Sequence, residues 1–296
     1  MVDSRQLRYF AAVANRLNFT RAAEDLVIAQ PALSQAIRQL ERELGVTLFE
    51  RNARGAVLTA PGEVLLRGAQ RTLRELESTV DDVRSFAGQV TGRVRLGAWQ
   101  SMEVRLPELL AAFRHQYPAV DVAVNELVSD AMLDAVRAGA LDVAMVVQRE
   151  HVPMTGLASQ PFITEPYDLA VAESHALAQR TAVRLSELTD EPFVMHRPGS
   201  AVRDQILHAC ADAGFRPRIA LETGEMSAAR AFVAAGLGVT VLPRSSLASA
   251  GPAVRILTLR PRVQRTSILV WPQHGPRSAA ARSFLEFARE NKALLQ

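Results

Sequence analysis

The chain has 296 residues, of which 48% are hydrophobic and 22% are charged, and its formal net charge is +3. This length predicts two or three domains, and this composition is typical of a folded protein rather than a disordered one. No run of about 18 apolar residues occurs, which argues against a transmembrane helix. Asn15 and Arg16 interrupt the first apolar stretch, and no signal-peptide cleavage site follows. We therefore expect a cytoplasmic protein without a membrane partner.

The residue types that carry most enzyme chemistry are sparse or scattered. Cys210 is the only cysteine, so the chain offers no disulfide or four-thiolate zinc site, and its apolar flanks predict a buried structural thiol. The six histidines include no pair at metal-ligand spacing. P-loop, GxGxxG, GxSxG and HExxH motifs are missing, and the Gly236 to Gly238 segment joins a helix to a strand as a tight turn would. We expect no enzyme, no catalytic residue, no metal and no cofactor.

Two helices are predicted at the start of the chain. Over residues 5–17 the apolar side chains recur at spacings of three and four, which indicates a helix with one buried face. A second helix is predicted to begin at Thr20, whose hydroxyl is suited to capping the first free N–H groups, and to run to Leu26.

A third helix is predicted from Pro31 to Gly45, since proline suits a first helical turn and glycine commonly ends a helix. At about 100° per residue, one face holds four apolar residues and the opposite face holds four others. The apolar face consists of Leu33, Ile37, Leu40 and Leu44, and the opposite face of Pro31, Ser34, Gln35 and Arg38. Hydroxyl, amide and guanidinium groups on one exposed face suit the DNA major groove. A solvated helix face without a partner remains the alternative.

The spacing of the second and third helices is that of a helix-turn-helix. After them, VTLFERNARGAVLTAPG (residues 46–62) predicts two short strands around a turn from Asn52 to Gly55, which is the pattern of a wing. Residues 1–60 are therefore interpreted as a winged helix-turn-helix domain.

A long helix is predicted from Pro61 to about Ala87, within a linker at residues 61–91. Its apolar residues alternate spacings of three and four, at Leu66, Ala69, Leu73, Leu76, Val80, Val83 and Ala87. A sustained repeat of this kind is typical of a coiled-coil seam, so we expect a homodimer through this helix. The alternative is a helix that packs on its own domain. Gly88 and Gly92 suggest a joint after it.

Residues 92–296 alternate predicted strands and helices, which indicates an α/β fold with a mainly parallel sheet. The last strand, TSILVWP, and the helix from Ser278 are expected to return to the first part of this domain. The result would be two lobes around a cleft, with lobe I at residues 92–160 and 266–296 and lobe II at residues 161–265. The strands that cross between the lobes are expected near residues 148–160 and 262–266.

Residues 5–62, RQLRYFAAVANRLNFTRAAEDLVIAQPALSQAIRQLERELGVTLFERNARGAVLTAPG, closely resemble the N-terminal signature of the LysR-type transcriptional regulators. The resemblance continues at LPELLAAFRHQYP, DEPFVMHRPGS and FVAAGLGVTVLPRS. It implies a sequence-specific DNA-binding regulator whose periplasmic-binding-protein-like C-terminal domain binds a small-molecule effector between its lobes. Double-stranded promoter DNA is then the partner, and dimers are expected to pair into a homotetramer.

The resemblance also implies which residues contact DNA. The recognition helix would use Gln30, Pro31, Ser34, Gln35 and Arg38, and the wing would use Arg51 and Arg54 at the minor groove or its phosphates. Two positions depart from the family pattern. Ala29 stands where serine is common, which would remove a hydroxyl at the helix start, and Gln35 stands where many members carry a basic residue. Both bear on which sequence is read rather than on the fold.

By position, the resemblance places an effector site at the starts of several helices, where free N–H groups favour anions. Its expected residues are Gln100, Ser101, Met102, Gln148, Arg197, Gly199, Ser200, Ala201, Thr223, Gly224 and Glu225. The alternative is structural: Ser101 and Ser200 would only cap helices, and Arg197 would pair with Glu191 or Asp204.

Two other classes of protein account for parts of the chain. A secreted solute-binding protein would explain two lobes but not residues 1–87. An effector-independent nucleoid-type protein would explain DNA binding but not a cleft.

Overall fold

The computed structural model describes residues 2–52, 55–86, 88–98, 106–149 and 152–295. These residues group into two compact units. The first contains the described residues up to Gly92, with Ala138–Ala140 and Arg277–Ala279, and the second contains the remainder. Among the described residues, no helix combines the length and the apolar character needed to cross a membrane.

The first unit begins with the helices α1 (Ser4–Arg16) and α2 (Phe19–Asp25). Asp3 caps α1 and accepts a hydrogen bond from the Gln6 N–H at 2.8 Å, while the Gln6 side chain accepts one from the Asp3 N–H at 2.9 Å. The prediction that Thr20 caps the second helix is wrong. Asn18 caps it instead and accepts from the Arg21 N–H at 3.0 Å, because an amide oxygen two residues earlier can satisfy that donor.

The third helix, α3 (Gln30–Leu44), begins one residue before the predicted Pro31 and ends as predicted at Gly45, which has a φ of 70°. Its apolar face packs into a core shared with α1, α2 and the wing, and the largest buried members are Phe10, Val13, Leu33, Ile37, Leu40, Leu48 and Phe49. The predicted burial of Leu44 is wrong, since this side chain is 39% exposed. It lies on the last helical residue, beyond the contacts that cover Leu40.

The predicted wing and long helix are present. Strands β1 (Phe49–Asn52) and β2 (Gly55–Leu58) pair antiparallel, and α4 (Ala60–Ser85) follows. Thr59 caps α4 by accepting from the Gly62 N–H at 3.1 Å. Along α4, Ala69 is buried, whereas Leu76 and Val83 are 40% and 66% exposed.

The second unit alternates strands and helices, as the sequence predicted. Its elements are β3 (Gly92–Ala98), α5 (Leu106–Gln116), β4 (Val120–Glu126), α6 (Ser129–Arg137), β5 (Val143–Val147), β6 (Leu157–Val171), β7 (Ala182–Arg184), β8 (Pro192–His196), α7 (Ala201–Asp212), β9 (Arg218–Thr223), α8 (Met226–Ala234), β10 (Thr240–Pro243), α9 (Arg244–Ala248), β11 (Arg255–Arg260), β12 (Gln264–Pro272) and α10 (Ala279–Glu290).

Within the described residues, the strand order β4-β3-β5-β12-β6-β11-β7 forms the main sheet, and β10 also pairs with β6. The pair β3 and β5 is parallel, whereas β12 runs antiparallel to both β5 and β6. Strands β8 and β9 form a parallel pair, and Phe193 bridges from β8 to Val239. The fold is therefore α/β with antiparallel strands at its centre, which is less uniformly parallel than predicted.

One long strand, β6, joins the two halves of this unit. Its first ten residues pair with β12, and its last five pair with β10 and β11. The halves have separate apolar cores: Met132, Leu133 and Val146 belong to one, and Tyr167 and Phe193 to the other. Cys210 is fully buried in the second core, as predicted, and this burial raises the pKa of its thiol to about 11.

Candidate functional site

The exposed face of α3 carries two polar side chains without partners among the described residues. Gln35 and Arg38 are both exposed, and neither side chain makes a hydrogen bond or ion pair there. One turn later, Arg42 donates from Nη2 to the Gln39 side chain at 2.6 Å. The amide of Gln35 and the guanidinium of Arg38 are thus available to an external partner.

The predicted outward direction of Ser34 is wrong. This residue is only 6% exposed, and its hydroxyl accepts a hydrogen bond from Gln30 Nε2 at 2.8 Å. The two residues lie one turn apart on α3, so the longer Gln30 side chain folds over the shorter one. At the helix start Ala29 provides no side-chain cap, as its missing hydroxyl predicted.

The wing residues can be placed only in part. Arg51 lies on β1 opposite Ala56 in the β1–β2 pair. Its side chain and the whole of Arg54 lie outside what the structure describes.

A cavity of about 990 Å³ opens in the second unit. This volume lies at the upper end of the range typical of small-molecule sites. Its described lining comes from both halves of the unit: Ser129, Asp130 and Arg149 follow or precede strands of the first half, and Ser200 and Arg230 belong to the second. Among the described residues, no group of three or more His, Cys, Asp or Glu could hold a metal ion.

Six of the predicted effector residues line this cavity, namely Arg197, Gly199, Ser200, Ala201, Gly224 and Glu225. The turn from β8 to α7 brings the first four together, and Gly199 adopts a φ of 82°, which favours glycine. Gln148 and Thr223 are not part of the described lining. Gln100, Ser101 and Met102 lie outside the described residues.

The structural alternative for this turn is wrong on two counts. Ser200 occupies the N-cap of α7, but its hydroxyl makes no capping hydrogen bond. Among the described residues Arg197 forms no ion pair, and Glu191 instead lies 3.3 Å from His175 Nε2. The Arg197 side chain lies beside Gly224, where an added Cβ would be 3.4 Å from the guanidinium carbon.

The other arginines of the cavity are already engaged. Arg149 pairs with Asp130. Arg230 donates to the carbonyl oxygens of Pro252 and Leu247 at 2.8 and 2.9 Å. Of the arginines in the described lining, Arg197 is therefore the one whose guanidinium makes neither a hydrogen bond nor an ion pair with the described residues.

His196 is a cavity residue that the sequence analysis missed. It ends β8, lines the cavity and is 6% exposed, and its buried Nε2 has no hydrogen-bond partner among the described residues. Burial lowers the pKa of this imidazole, Arg197 lowers it further, and Glu225 partly opposes the shift. The available signal was its position at the end of a predicted strand, directly before Arg197.

Comparisons with known proteins agree with both units. Residues 4–63 match the family described as "Bacterial regulatory helix-turn-helix protein, lysR family", and residues 87–293 match the "LysR substrate binding domain". The transcriptional dual regulator GltC of Bacillus subtilis is 32% identical over 291 residues, which cover 97% of this chain and 96% of GltC.

Two solved structures are also similar over almost their whole length. CbnR in complex with its target DNA has a TM-score of 0.76 at 27% identity, covering 98% of this chain and 99% of CbnR. A full-length OxyR variant from Pseudomonas aeruginosa has a TM-score of 0.75 at 26% identity, covering 98% of this chain and 95% of that one. The chain therefore belongs to the LysR family of DNA-binding transcriptional regulators.

Proposed function

We propose that α3 is the recognition helix and reads operator bases through Gln35 and Arg38. The observation that carries this proposal is the exposed, unpartnered state of both side chains on the second helix of the helix-turn-helix. An amide can bond adenine in the major groove, and a guanidinium can bond guanine through two hydrogen bonds. The DNA complex of the relative CbnR supports DNA as the partner.

The remaining DNA contacts follow from position. Gln30 and Pro31, at the start of α3, contact bases or phosphates, and Ser34 holds the Gln30 amide by their 2.8 Å hydrogen bond rather than reaching a base itself. Arg51 and Arg54 of the wing contact the minor groove or its phosphates, where a narrow groove attracts guanidinium groups. Because its partner is DNA, we propose a cytoplasmic location for the protein.

Arg38→Ala and Arg42→Ala form a matched pair of variants for testing base readout. Both positions lie on α3, but Arg38 is unpartnered and Arg42 is bonded to Gln39. We expect Arg38→Ala to lose about 1–3 kcal/mol of discrimination at one base pair, and Arg42→Ala to keep the sequence preference. Selection from random duplexes, followed by filter binding at several salt concentrations, measures this. An equal loss on all sequences for Arg38→Ala would remove it from base readout.

We propose that the effector binds in the 990 Å³ cavity and acts by changing the arrangement of the two lobes. The proposed limits are residues 1–60 for the DNA-binding domain, 61–91 for the linker and 92–296 for the effector domain, with lobes at 92–160 plus 266–296 and at 161–265. In this proposal the effector must bind one arrangement of the two lobes more tightly than the other. Gln100, Ser101, Met102, Gln148 and Thr223 complete the proposed site beside the lining residues.

Arg197→Ala tests the effector site without touching α3. We expect the variant to keep operator affinity and to lose the effector response in a reporter assay. A thermal-shift screen of small molecules on the full chain identifies the effector, since a ligand that binds only the folded state raises Tm. A full response in Arg197→Ala would place the effector elsewhere.

We also propose that α4 holds a homodimer and that dimers pair into a tetramer. Support comes from the apolar residues left exposed on the predicted seam, with Leu76 at 40%, Val80 at 41% and Val83 at 66%. A sustained three-four repeat of such residues is buried when two helices pair. Light scattering on the full chain measures the assembly directly.

A further inference from the structure

The amino end of α7 forms one wall of the cavity. The first backbone N–H groups of a helix have no carbonyl partner within it, and they carry the positive end of the helix dipole. Ala201 and Val202, at the start of this helix of 12 residues, line the cavity. The Ser200 hydroxyl leaves these N–H groups uncapped.

A second, independent observation points to a ligand at the same place. His196 is almost fully buried, being only 6% exposed, and it lines the cavity beside Arg197. Its Nε2 atom is buried and has no hydrogen-bond partner among the described residues. A buried polar atom without a partner costs about 1–3 kcal/mol, so a ligand atom that bonds it recovers free energy.

Charged side chains on several elements surround His196. Arg203 of α7 donates to the His196 carbonyl oxygen at 2.7 Å and pairs with Glu222 of β9 at 2.6 Å. From other elements the charged neighbours are Arg197, Glu225 and Arg265, and Glu165 neutralises Arg265 at 2.7 Å. These charges balance formally, since Glu225 opposes Arg197, and Arg197 is the arginine of the described lining whose guanidinium forms no hydrogen bond or ion pair with the described residues.

We propose that a carboxylate of the effector binds between His196 Nε2 and the Arg197 guanidinium at the amino end of α7, and that His196 takes up a proton from solvent as the carboxylate binds. This proposal rests on the proposed effector function of the cavity. In the free protein, burial and Arg197 both lower the pKa of His196, which favours the neutral imidazole. An adjacent carboxylate favours the charged imidazolium and raises that pKa.

The sign of the pH dependence follows. Binding that includes proton uptake weakens as the pH rises from the pKa of His196 in the free protein to its higher pKa in the complex, and it becomes independent of pH above the latter, where neither state holds the proton. A carboxylate that bonds only Arg197 would show no such dependence near neutral pH, since a guanidinium stays charged.

Matched variants separate hydrogen bonding from proton uptake. The amide introduced by His196→Gln presents an N–H donor near the Nε2 position but cannot titrate. This variant therefore keeps the hydrogen-bond donor and cannot take up a proton on binding. His196→Phe keeps a buried ring and removes both. His208→Gln is the control, because His208 lies on α7 outside the described cavity lining, with its side chain 82% exposed.

The experiment uses the full chain with formate, acetate and benzoate as probes, and acetamide and benzamide as uncharged analogues. Calorimetry in two buffers of different ionisation enthalpy measures the protons taken up. We expect a carboxylate to bind with uptake of a fraction of one proton near pH 7 in the wild type and in His208→Gln. We expect no proton uptake in His196→Gln. In His196→Phe we expect roughly tenfold weaker carboxylate binding, a change in binding free energy equal to that of about one pKa unit.

Three results would overturn the proposal: equal proton uptake in His196→Gln, unchanged carboxylate affinity in His196→Phe, or an amide that binds as well as its acid. Failure of every carboxylate to bind also overturns it. The effector proposal is then tested separately, because an uncharged or cationic effector found by the thermal-shift screen and lost in Arg197→Ala would preserve that function.

Discussion

Glu165→Gln removes the negative charge of the buried ion pair at the strand crossover while keeping the side-chain shape. Arg265 is fully buried and donates from Nε and Nη2 to Glu165 Oε1 at 2.9 and 2.7 Å. Glu165 is 14% exposed at its side chain and also accepts from the Ser245 N–H at 3.0 Å. The amide oxygen of glutamine can keep one hydrogen bond to Arg265, but it removes the negative charge of Glu165 beside the guanidinium.

The expected cost is a few kcal/mol. Removing one partner of a buried pair costs about 3–5 kcal/mol when no bond survives, and hydrogen bonds to charged groups contribute about 1.5–3 kcal/mol. Because glutamine keeps one acceptor, we expect Glu165→Gln to lower the free energy of unfolding by about 2–3 kcal/mol. For a unit of this size that corresponds to a fall in Tm of roughly 5–10 °C.

Urea unfolding of the full chain, followed by tryptophan fluorescence, measures this loss. Both tryptophans, Trp99 and Trp271, belong to residues 87–293, so their signal reports the C-terminal domain. Glu173→Gln is the matched control, since Glu173 pairs with Arg255 at 3.7 Å and both side chains are more than half exposed. Such pairs contribute less than about 1 kcal/mol. If both variants lose the same small free energy, the charge of Glu165 does not stabilise the crossover.

Three further predictions concern other parts of the chain. Val27, a β-branched residue with a φ of 55°, strains the turn before α3, so Val27→Asn should raise the unfolding free energy of the N-terminal unit by about 1 kcal/mol, and an unchanged Tm would contradict this. Leu76→Asp should release monomers by light scattering, and a variant that assembles like the wild type would count against the α4 seam. The Cys210 thiol, whose pKa burial raises to about 11, should react with an aromatic disulfide reagent only after unfolding, and immediate reaction of the native protein would refute its burial.

Helical periodicity predicted most of the first unit because its helices bury one face in a local core. The errors lie where one side chain acts on another. Ser34 is outward on a helical wheel, yet the Gln30 side chain one turn away covers it. Thr20 is a good cap in isolation, but Asn18 reaches the free N–H groups first. A helical wheel gives the direction of each side chain, but it does not show how neighbouring side chains compete for the same hydrogen-bond donors.

The long strand β6 was predicted only in part: a crossing strand was expected near residues 148–160, whereas β6 runs from Leu157 to Val171. Its segment contains Pro161 and Pro166, which lack an N–H for a sheet and break the alternation typical of a strand. In the structure Pro161 lies opposite Ile268, where the register with β12 shifts, and Pro166 lies at the end of that pairing. The irregular pairing accommodates both prolines, and only the partner strand reveals this.

The cavity could be predicted in part. The family resemblance placed the turn at Arg197–Ser200 in the effector site, and this turn lines the cavity at a strand-to-helix junction, where ligands commonly bind in α/β folds. His196 was missed because a histidine at the end of a buried strand resembles a core residue in sequence. That its Nε2 atom has no hydrogen-bond partner among the described residues is visible only in the structure. Ser129 and Arg149 were missed because their places in the lining depend on how the two halves of the unit fold together.

The crossing strands limit how an effector can act. Strands β6 and β12 pair from Gln264 opposite Pro166 to Pro272 opposite Leu157, with one register shift between Ser267 and Ile268, and the Glu165–Arg265 pair lies within this ladder. Glu165 also holds the start of α9 through the Ser245 N–H, so one carboxylate fixes β12 and α9 to the crossover. In the proposed mechanism, a change in the arrangement of the two lobes would twist this ladder rather than break it. Arg265 contributes to the charge felt by His196, so a carboxylate bound beside His196 as proposed would act electrostatically on the same crossover that joins the lobes.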